Sequence, residues 1–276
     1  MRGVQGRVVA RFNCVNGRTQ LAESICQTPL KIAKAFPLRD GRAGVCVMDC
    51  SPGLLAGDAY DLSWHLAADA DVLLTPQGFT RVHPSVAAPC RLTQRITIES
   101  GACLECENPP IMLYREASLH AECEVDLGAG GALVFSEIAC AGRIERGEAF
   151  AFHRYQSRLR VRSEGKLLCY HNVSVAPALW NVKARGAWAG RTHWGQVWAL
   201  CESLSAAQQQ ELKTRWRDIL GTGAARWPTL TGGVGRLERG GIVATLLGGR
   251  AWELQEAAQQ MRECARMTIK HGSAAA

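Results

Sequence analysis

Long apolar runs are absent from this sequence, and so is the pattern of a secretory leader. No stretch approaches the roughly 18 consecutive apolar residues that a membrane-spanning helix needs. The N-terminal stretch MRGVQGRVVARF lacks an apolar core followed by a small-residue cleavage site. We therefore expect a cytoplasmic protein that has no membrane partner.

Familiar catalytic motifs are absent as well. The chain contains no G-x-S-x-G, no H-E-x-x-H and no phosphate-binding G-x-x-x-x-G-K-[ST]. Ser163 and Lys166 spell S-x-x-K, but the flanking pattern places them across a hairpin turn and not one helical turn apart. Motifs of nucleic-acid-binding domains are also missing, although the formal net charge is +7. We expect neither an enzyme nor a nucleic-acid partner.

The composition that is present is that of a globular protein. The 276 residues are 47% apolar and 21% charged, which allows a sizeable core and argues against disorder. Length alone permits one large domain or two ordinary ones. In a reducing compartment the twelve cysteines are metal ligands, nucleophiles or core residues, and not disulfides.

Alternating apolar and polar residues dominate the first two thirds of the chain. In LHAECEVDL (119–127) the odd positions are apolar or cysteine and the even positions are polar, and YQSRLRVR (155–162) alternates in the same way. A period of two is typical of half-buried β-strands. In VCVMDC (45–50), Cys46, Met48 and Cys50 share one face, which suits a soft metal, but apolar neighbours favour a buried core strand.

A weak internal repeat links these strands. Four units place five small or polar residues between two apolar ones, at spacings of 32, 29 and 34 residues: Leu66-AADAD-Val72, Ile98-ESGAC-Leu104, Leu127-GAGGA-Leu133 and Val161-RSEGK-Leu167. Recurrence near 30 residues predicts stacked β units, each of which buries its apolar face on the next. A plain β-sandwich is the alternative.

Helical spacing appears only late in the chain. AAQQQELKTRWRDIL (206–220) has apolar residues at i, i+4, i+7 and i+8, with Ser205 and Gln208 as a capping box and Gly221 as a stop. WELQEAAQQMRECARM (252–267) repeats the helical spacing, and GIVATLLG (241–248) reads as a strand. Residues 221–235, with five glycines, are predicted to be a loop. We treat 1–276 as one domain, in which 200–270 contains the two C-terminal helices.

Two clusters could bear chemistry. Cys103, Cys106, His120 and Cys123 have the spelling of a zinc site, but strand residues i and i+3 point to opposite faces, which favours core thiols. A zinc- or thiol-dependent enzyme using these four residues is the first alternative function. A second is a β-repeat protein-binding module without a metal role.

An acidic strand face is the other cluster. His120 and the acids of the same strand, Glu122, Glu124 and Asp126, point to one side. They can pair across a sheet with the arginines of 158–162, or they can line a path for a divalent cation. Pairing is the simpler interpretation.

Several stretches together resemble one family, the urease accessory protein UreD, also called UreH. The resemblance runs from about residue 20 to 265 and depends on the order and spacing of its motifs, since none is specific alone. The matching stretches are SPGLLAGD (51–58), LLTPQGFTRVHP (73–84), LECENPPIMLYREAS (104–118), GRIERGEAF (142–150) and GVGRLERGGIVATLLG (233–248).

The resemblance implies a fold, a function and partners. The fold would be mainly β, with stacked β-sheets of right-handed β-helical type and two α-helices near the C-terminus. The function would be that of a non-catalytic metallochaperone scaffold for nickel insertion into apo-urease. Its partners would be a UreF-type helical accessory protein, through it a UreG-type GTPase, and apo-urease. No cofactor would be tightly bound, and Ni(II) would pass transiently.

The resemblance also nominates site residues. Asp58 and Glu137 would lie on the transient metal route, with Arg143 and Glu148 gating it or supporting it. Gly53 and Gly57 would form the turn that presents Asp58, because glycine adopts backbone conformations that side chains obstruct. A turn-capping role for Asp58, through bonds to backbone N–H groups, is the alternative.

Overall fold

The computed structural model describes residues 3–273. This part of the chain contains seventeen strands and, near its C-terminal end, two α-helices. The strands are β1 (Gln5–Val15), β2 (Arg18–Gln27), β3 (Leu30–Pro37), β4 (Ala43–Asp49), β5 (Ala59–Leu66), β6 (Asp71–Pro76), β7 (Thr80–Val82), β8 (Cys90–Ile98), β9 (Cys103–Glu107), β10 (Ile111–Leu113), β11 (Ser118–Leu127), β12 (Ala132–Cys140), β13 (Arg154–Ser163), β14 (Lys166–Val175), β15 (His193–Leu200), β16 (Thr231–Arg236) and β17 (Gly241–Gly248). The helices are α1 (Ala206–Thr222) and α2 (Ala251–Ser273).

The strands form two facing sheets. Sheet A has the order β14-β13-β11-β8-β5-β1-β2, and sheet B has the order β16-β17-β15-β12-β9-β6-β4-β3, with β7 and β10 beside it. From β4 to β13 the chain alternates between the sheets, and neighbouring coils pair in parallel. Antiparallel strands close both ends. The protein is therefore mainly β and built of stacked, β-helix-like coils, as the sequence predicted.

The internal repeat marks the turns that cross from sheet A to sheet B. Its first three units connect β5 to β6, β8 to β9 and β11 to β12. The fourth instead forms the β13–β14 hairpin within sheet A, because the coil ends there. All four turns stack through backbone bonds: Glu99 N–H to Leu66 O (3.0 Å), Gly128 N–H to Ile98 O (2.7 Å) and Glu164 N–H to Leu127 O (3.1 Å).

Strand alternation divides each coil into an inner and an outer face. From Leu119 to Leu127 of β11, the odd-numbered residues are buried between the sheets and the even-numbered ones face outward, as predicted. A one-residue slip would exchange the two faces, so the buried side fixes the register. The inner faces form one continuous core with large side chains such as Phe12, Trp64, Phe135 and Tyr155.

A second core lies where the helices cover the outer face of sheet B. Leu212 and Trp216 of α1 pack with Leu254 and Met261 of α2 over β12, β15 and β17. Strand β15 is buried at every position, because it faces the first core on one side and the helices on the other. The capping box of Ser205 and Gln208 is present, but α1 runs past Gly221 to Thr222.

Two predictions about local structure were wrong. Residues 221–235 are not all loop, because Thr231–Arg236 pairs with β17 as an edge strand whose glycines gave no alternating pattern. The sulfur-bearing face of β4 is not buried: Cys46 and Met48 are half-buried and Cys50 is exposed. The helices pack over β12, β15 and β17, so they leave this face of β4 open.

No helix among residues 3–273 has the length and apolarity to cross a membrane.

Candidate functional site

The two sheets enclose a cavity, which we call the chamber. Its volume is about 90 Å³, room for about three water molecules. Most of its lining is apolar or thiol, with a few polar groups; the wall includes Trp64, Leu74, Gln94, Cys106, Cys123 and Phe135. An apolar enclosure of this kind makes any charged group inside it electrostatically important, because little water screens it.

Glu137 of β12 carries a carboxylate into the chamber. The residue is half-buried and borders the cavity. Its oxygens accept hydrogen bonds from Tyr155 Oη (2.8 Å) and Ser157 Oγ (3.0 Å) on the facing sheet. Burial raises the pKa of Glu137, and the two hydroxyl donors only partly oppose that shift. Among the described residues, no cationic side chain forms an ion pair with this carboxylate.

A wider cavity of about 250 Å³, which we call the mouth, adjoins the chamber. Ser51, Pro52 and Gly53 line one side of it, and residues 77–81 line the other. Asp49, at the end of β4, borders both the mouth and the chamber. It is the one carboxylate that the two cavities share within the described chain.

Hydroxyl and backbone donors hold Asp49 at this neck. Its carboxylate accepts from Ser51 N (2.9 Å) and from Tyr60 Oη (3.2 and 3.3 Å), and the hydroxyls of Ser51 and Tyr60 lie 3.0 Å apart. Burial raises the pKa of Tyr60, so its hydroxyl keeps the proton that it donates. Sequence reasoning missed Asp49. The signal available was an acid at the end of an otherwise apolar strand, directly before the glycine turn.

Asp58 has the contacts of a turn cap. Its two oxygens accept from the backbone N–H of Val4 (2.6 Å) and of Leu55 (2.8 Å), and the residue is 5% exposed. Asp58 does not line the chamber or the mouth. This geometry fits the turn-capping role that was the alternative to a metal contact. A place for Asp58 on an ion route stays a prediction.

The glycines of the same turn take backbone conformations that suit no other residue. Gly53 has φ 124° and Gly57 has φ 84°. A Cβ on Gly53 would lie 2.4 Å from the carbonyl oxygen of Arg81 in the next coil. The turn therefore lets adjacent coils approach closely at the rim of the mouth.

Arg143 and Glu148 form a clamp at another corner of the coil. The guanidinium donates from Nε to Glu148 Oε2 (2.8 Å) and from Nη2 to Oε1, and it lies 4.2 Å from the ring centre of Tyr114. The bond from Arg143 lowers the pKa of Glu148. Gly147 has φ 70°, which turns the chain back after a short 3-10 segment, Ile144–Arg146. The motif GRIERGE is thus a self-contained bidentate ion pair.

The structure joins some predicted site residues and separates others. Arg143 and Glu148 contact each other. Asp58 precedes β5 and Glu148 precedes β13, which lie three strand spacings apart in sheet A, or about 14 Å. Glu137 belongs to the middle of β12, and its carboxylate bonds no other predicted site residue.

The cysteine alternative is not supported by the geometry. Cys106 and Cys123 face the inner core, whereas Cys103 faces the helices, as the alternation predicted. Burial raises the pKa of the Cys103 and Cys106 thiols to about 12, so they stay protonated. Among the residues described, no group of three or more His, Cys, Asp or Glu side chains is arranged to hold a metal ion.

The acidic face of β11 is paired with arginines. Glu122 lies opposite Arg158 and Glu124 opposite Arg160, with oxygen–nitrogen distances of 3.1 and 2.8 Å. All four side chains are between 41% and 55% exposed. The simpler interpretation of this face is confirmed: it is a solvated ladder of ion pairs on the outside of sheet A. Glu122 also borders the chamber, whereas Glu124 does not.

Comparison of the sequence with known proteins finds one family. The sequence model of the family described as UreD urease accessory protein matches residues 4–276. The urease accessory protein UreD of Acetivibrio thermocellus is 29% identical over 206 residues, 74% of this chain and 78% of that protein. UreH of Helicobacter hepaticus is 32% identical over 165 residues, 59% of this chain and 65% of its own length. UreD of Trichodesmium erythraeum is 33% identical over 169 residues, 59% and 61% respectively.

Proposed function

Because the chain belongs to the UreD family of urease accessory proteins, we propose that it is a non-catalytic scaffold for nickel insertion into apo-urease. In this proposal Ni(II) is the substrate that passes through the protein. A UreG-type GTPase supplies it through a UreF-type helical protein, and apo-urease receives it. The chain works in the cytoplasm and binds no resident cofactor.

The observation that carries the proposal is the carboxylate of Glu137 inside the chamber. A divalent cation in an apolar cavity needs negative charge, and it needs few ligands at once if it is to leave again. Glu137 offers a single carboxylate whose partners are neutral hydroxyls. Because burial raises its pKa, the carboxyl of Glu137 holds a proton to higher pH than an exposed acid does. A cation that binds there competes with that proton, so binding and release are linked to proton transfer.

Asp49 extends the route to the mouth. It is the acid between solvent and chamber at this end, and its donors are again neutral. We assign to Asp49 the first contact with the cation at the neck and to Glu137 the contact inside. The turn at the rim is held by Asp58, Gly53 and Gly57. The prediction that Asp58 also contacts the passing ion is tested separately by substitution.

Arg143 and Glu148 are proposed to support the route without touching the ion. A carboxylate already bound in bidentate fashion by a guanidinium offers little to a passing cation. The clamp instead fixes the corner that follows β12, the strand that carries Glu137.

The test is nickel-dependent activation of apo-urease in a system reconstituted with the purified accessory proteins. We expect activation to require this chain and to fall strongly with Asp49→Asn. Tyr60→Phe is the matched control, because it removes a hydrogen bond from Asp49 but leaves the carboxylate. If Tyr60→Phe lowers activation as much as Asp49→Asn, the carboxylate has a structural role only.

Co-purification tests the partners in the same preparation. Asp49→Asn should still bring down the helical accessory protein and apo-urease. Activation that proceeds equally without the chain would contradict the proposed function, and a scaffold whose carboxylates are all dispensable would be a binding module without a metal role.

A further inference from the structure

A third cavity lies beneath helix α2, on the outer side of sheet B. This groove has a volume of about 490 Å³ and is lined by charged side chains of α2, β9 and the segment before β4: Arg42, Glu105, Glu107, Glu263, Arg262 and Arg266. Thr75 and Glu107 line both the groove and the chamber. The two cavities therefore meet at these residues.

The sheet opens at this place for a local reason. The β6–β9 ladder ends at the pair Leu74–Cys106, one residue before Thr75 and Glu107. Pro76 follows on one strand, and Asn108 and Pro109 follow on the other. Proline has no N–H to give to a ladder, so pairing cannot continue. A gap remains where two central strands of sheet B would otherwise be joined.

Arg262 closes the gap from the groove side. Its guanidinium donates to Glu107 Oε2 (2.7 Å) and to Ser136 Oγ (2.9 Å), and its Nε lies 3.6 Å from Glu105 Oε1. The residue is 3% exposed although it carries a full charge. Among the described residues, Arg262 is the cation that pairs with Glu107, whereas Glu105 also has Arg42 at 2.8 Å.

We propose that Arg262 is a gate: a tethered cation that occupies Glu107 and blocks passage of a divalent cation between the chamber and the groove. The inference rests on the proposed function, because the ion that passes is the nickel. While the guanidinium is in place, Glu107 is neutralised and a second cation is repelled. A movement of α2 that withdraws Arg262 frees a carboxylate at the opening. A partner that binds α2 can therefore control the opening.

The test is binding of Ni²⁺ alone to the purified chain, measured by equilibrium dialysis. Arg262→Gln should bind Ni²⁺ at least about tenfold more tightly than the wild type, because a full charge a few ångströms from the carboxylate has been removed. The double variant Glu107→Gln/Arg262→Gln should return to the wild-type level. An Arg262→Gln protein that binds no better than the wild type overturns the gate, as does a gain that survives in the double variant.

Arg226→Gln is the matched control. Arg226 makes a two-point ion pair with Glu256 of α2, at 2.9 and 3.0 Å. This pair lies at the surface and away from the chamber. Freeing that carboxylate should leave Ni²⁺ binding unchanged. An equal gain in Arg226→Gln would show that any liberated acid on α2 suffices, which also overturns the proposal.

A second variant covers the event that Arg262→Gln does not fold. Arg262→Lys keeps a charge but loses the planar fork that bridges Glu107 and Ser136. It should show a smaller gain that Glu107→Gln again removes, and absence of that gain counts against the gate. Failure of the proposed function would look different, since it appears as loss of any need for the chain in urease activation.

Discussion

The carboxylates of the chamber and those beneath helix α2 have different partners. In the chamber, Glu137 and Asp49 accept from hydroxyl and backbone groups, which carry no net charge. Beneath α2, Glu107 pairs with Arg262 and Asp71 pairs with Arg266. The first arrangement leaves a negative charge for a passing cation, whereas the second neutralises it and fastens the helix. The partner of a carboxylate, and not burial alone, therefore decides whether the carboxylate is open to a cation or occupied by an arginine.

The largest effect is expected where a charge pair fastens α2. Arg266 donates two bonds to Asp71, at 2.8 and 3.0 Å, and both residues are less than a tenth exposed. Arg266→Met would leave the buried carboxylate of Asp71 with Lys270 as its remaining cationic partner. We therefore expect a loss of about 3 kcal/mol in the free energy of unfolding. Denaturant titration measures it. A loss below 1 kcal/mol would mean that the pairs beneath α2 do not fasten the helix.

A smaller loss is expected at the turn cap. Asp58→Ala removes two hydrogen bonds, from the N–H groups of Val4 and Leu55 to a carboxylate, which should cost about 2 kcal/mol. Asp58→Asn keeps one acceptor oxygen and should lose about half as much. The same two proteins, assayed for nickel loading of urease, separate cap from route. If nickel loading falls in step with the stability of the two variants, Asp58 is a turn cap. If the Asn variant is stable but loads no nickel, Asp58 lies on the ion route.

The chamber should respond to pH in the opposite sense from a salt-bridged acid. Burial raises the pKa of Glu137 in the folded state, so the folded protein holds this proton to higher pH than the unfolded chain does. The wild type therefore loses stability as pH rises from the ordinary carboxyl range through the raised folded value. Glu137→Gln, which does not titrate, should gain stability relative to wild type at pH 8 and show little gain at pH 4. Unfolding curves at the two pH values test this, and an equal difference at both would contradict it.

The smallest effect is expected on the outer ladder of sheet A. Glu122 and Arg158 are 55% and 45% exposed at their side chains, and solvent screens the pair. Glu122→Gln should change the free energy of unfolding by about 0.5 kcal/mol or less, and that difference should vanish in high salt. A loss comparable to that of Arg266→Met would remove the distinction between exposed and buried pairs.

Local patterns made much of the fold predictable. The alternation in β11 and the capping box at Ser205 depend on residues a few positions apart, and the structure has both. The internal repeat predicted the coil turns because each coil buries one apolar residue on either side of its turn. Strand β16 was missed because its glycines carry no side chains to alternate.

The candidate site was less predictable, because its parts come from distant strands. The chamber needs β4, β9 and β12 at once, and no spacing within one segment reports that convergence. The arginines of α2 were visible as residues 262 and 266, four apart, directly after apolar positions of the helix. They were overlooked because arginine is seldom buried unless it is paired, and their acidic partners lie more than a hundred residues away.

The most direct test compares one substitution at two carboxylates that differ in their partners. Glu137→Gln and Glu124→Gln remove the same charge, from the chamber and from the outer ladder, and nickel incorporated into urease is measured in complexes of equal composition. We predict a strong loss of incorporation for Glu137→Gln and none for Glu124→Gln. Full incorporation with Glu137→Gln would contradict it.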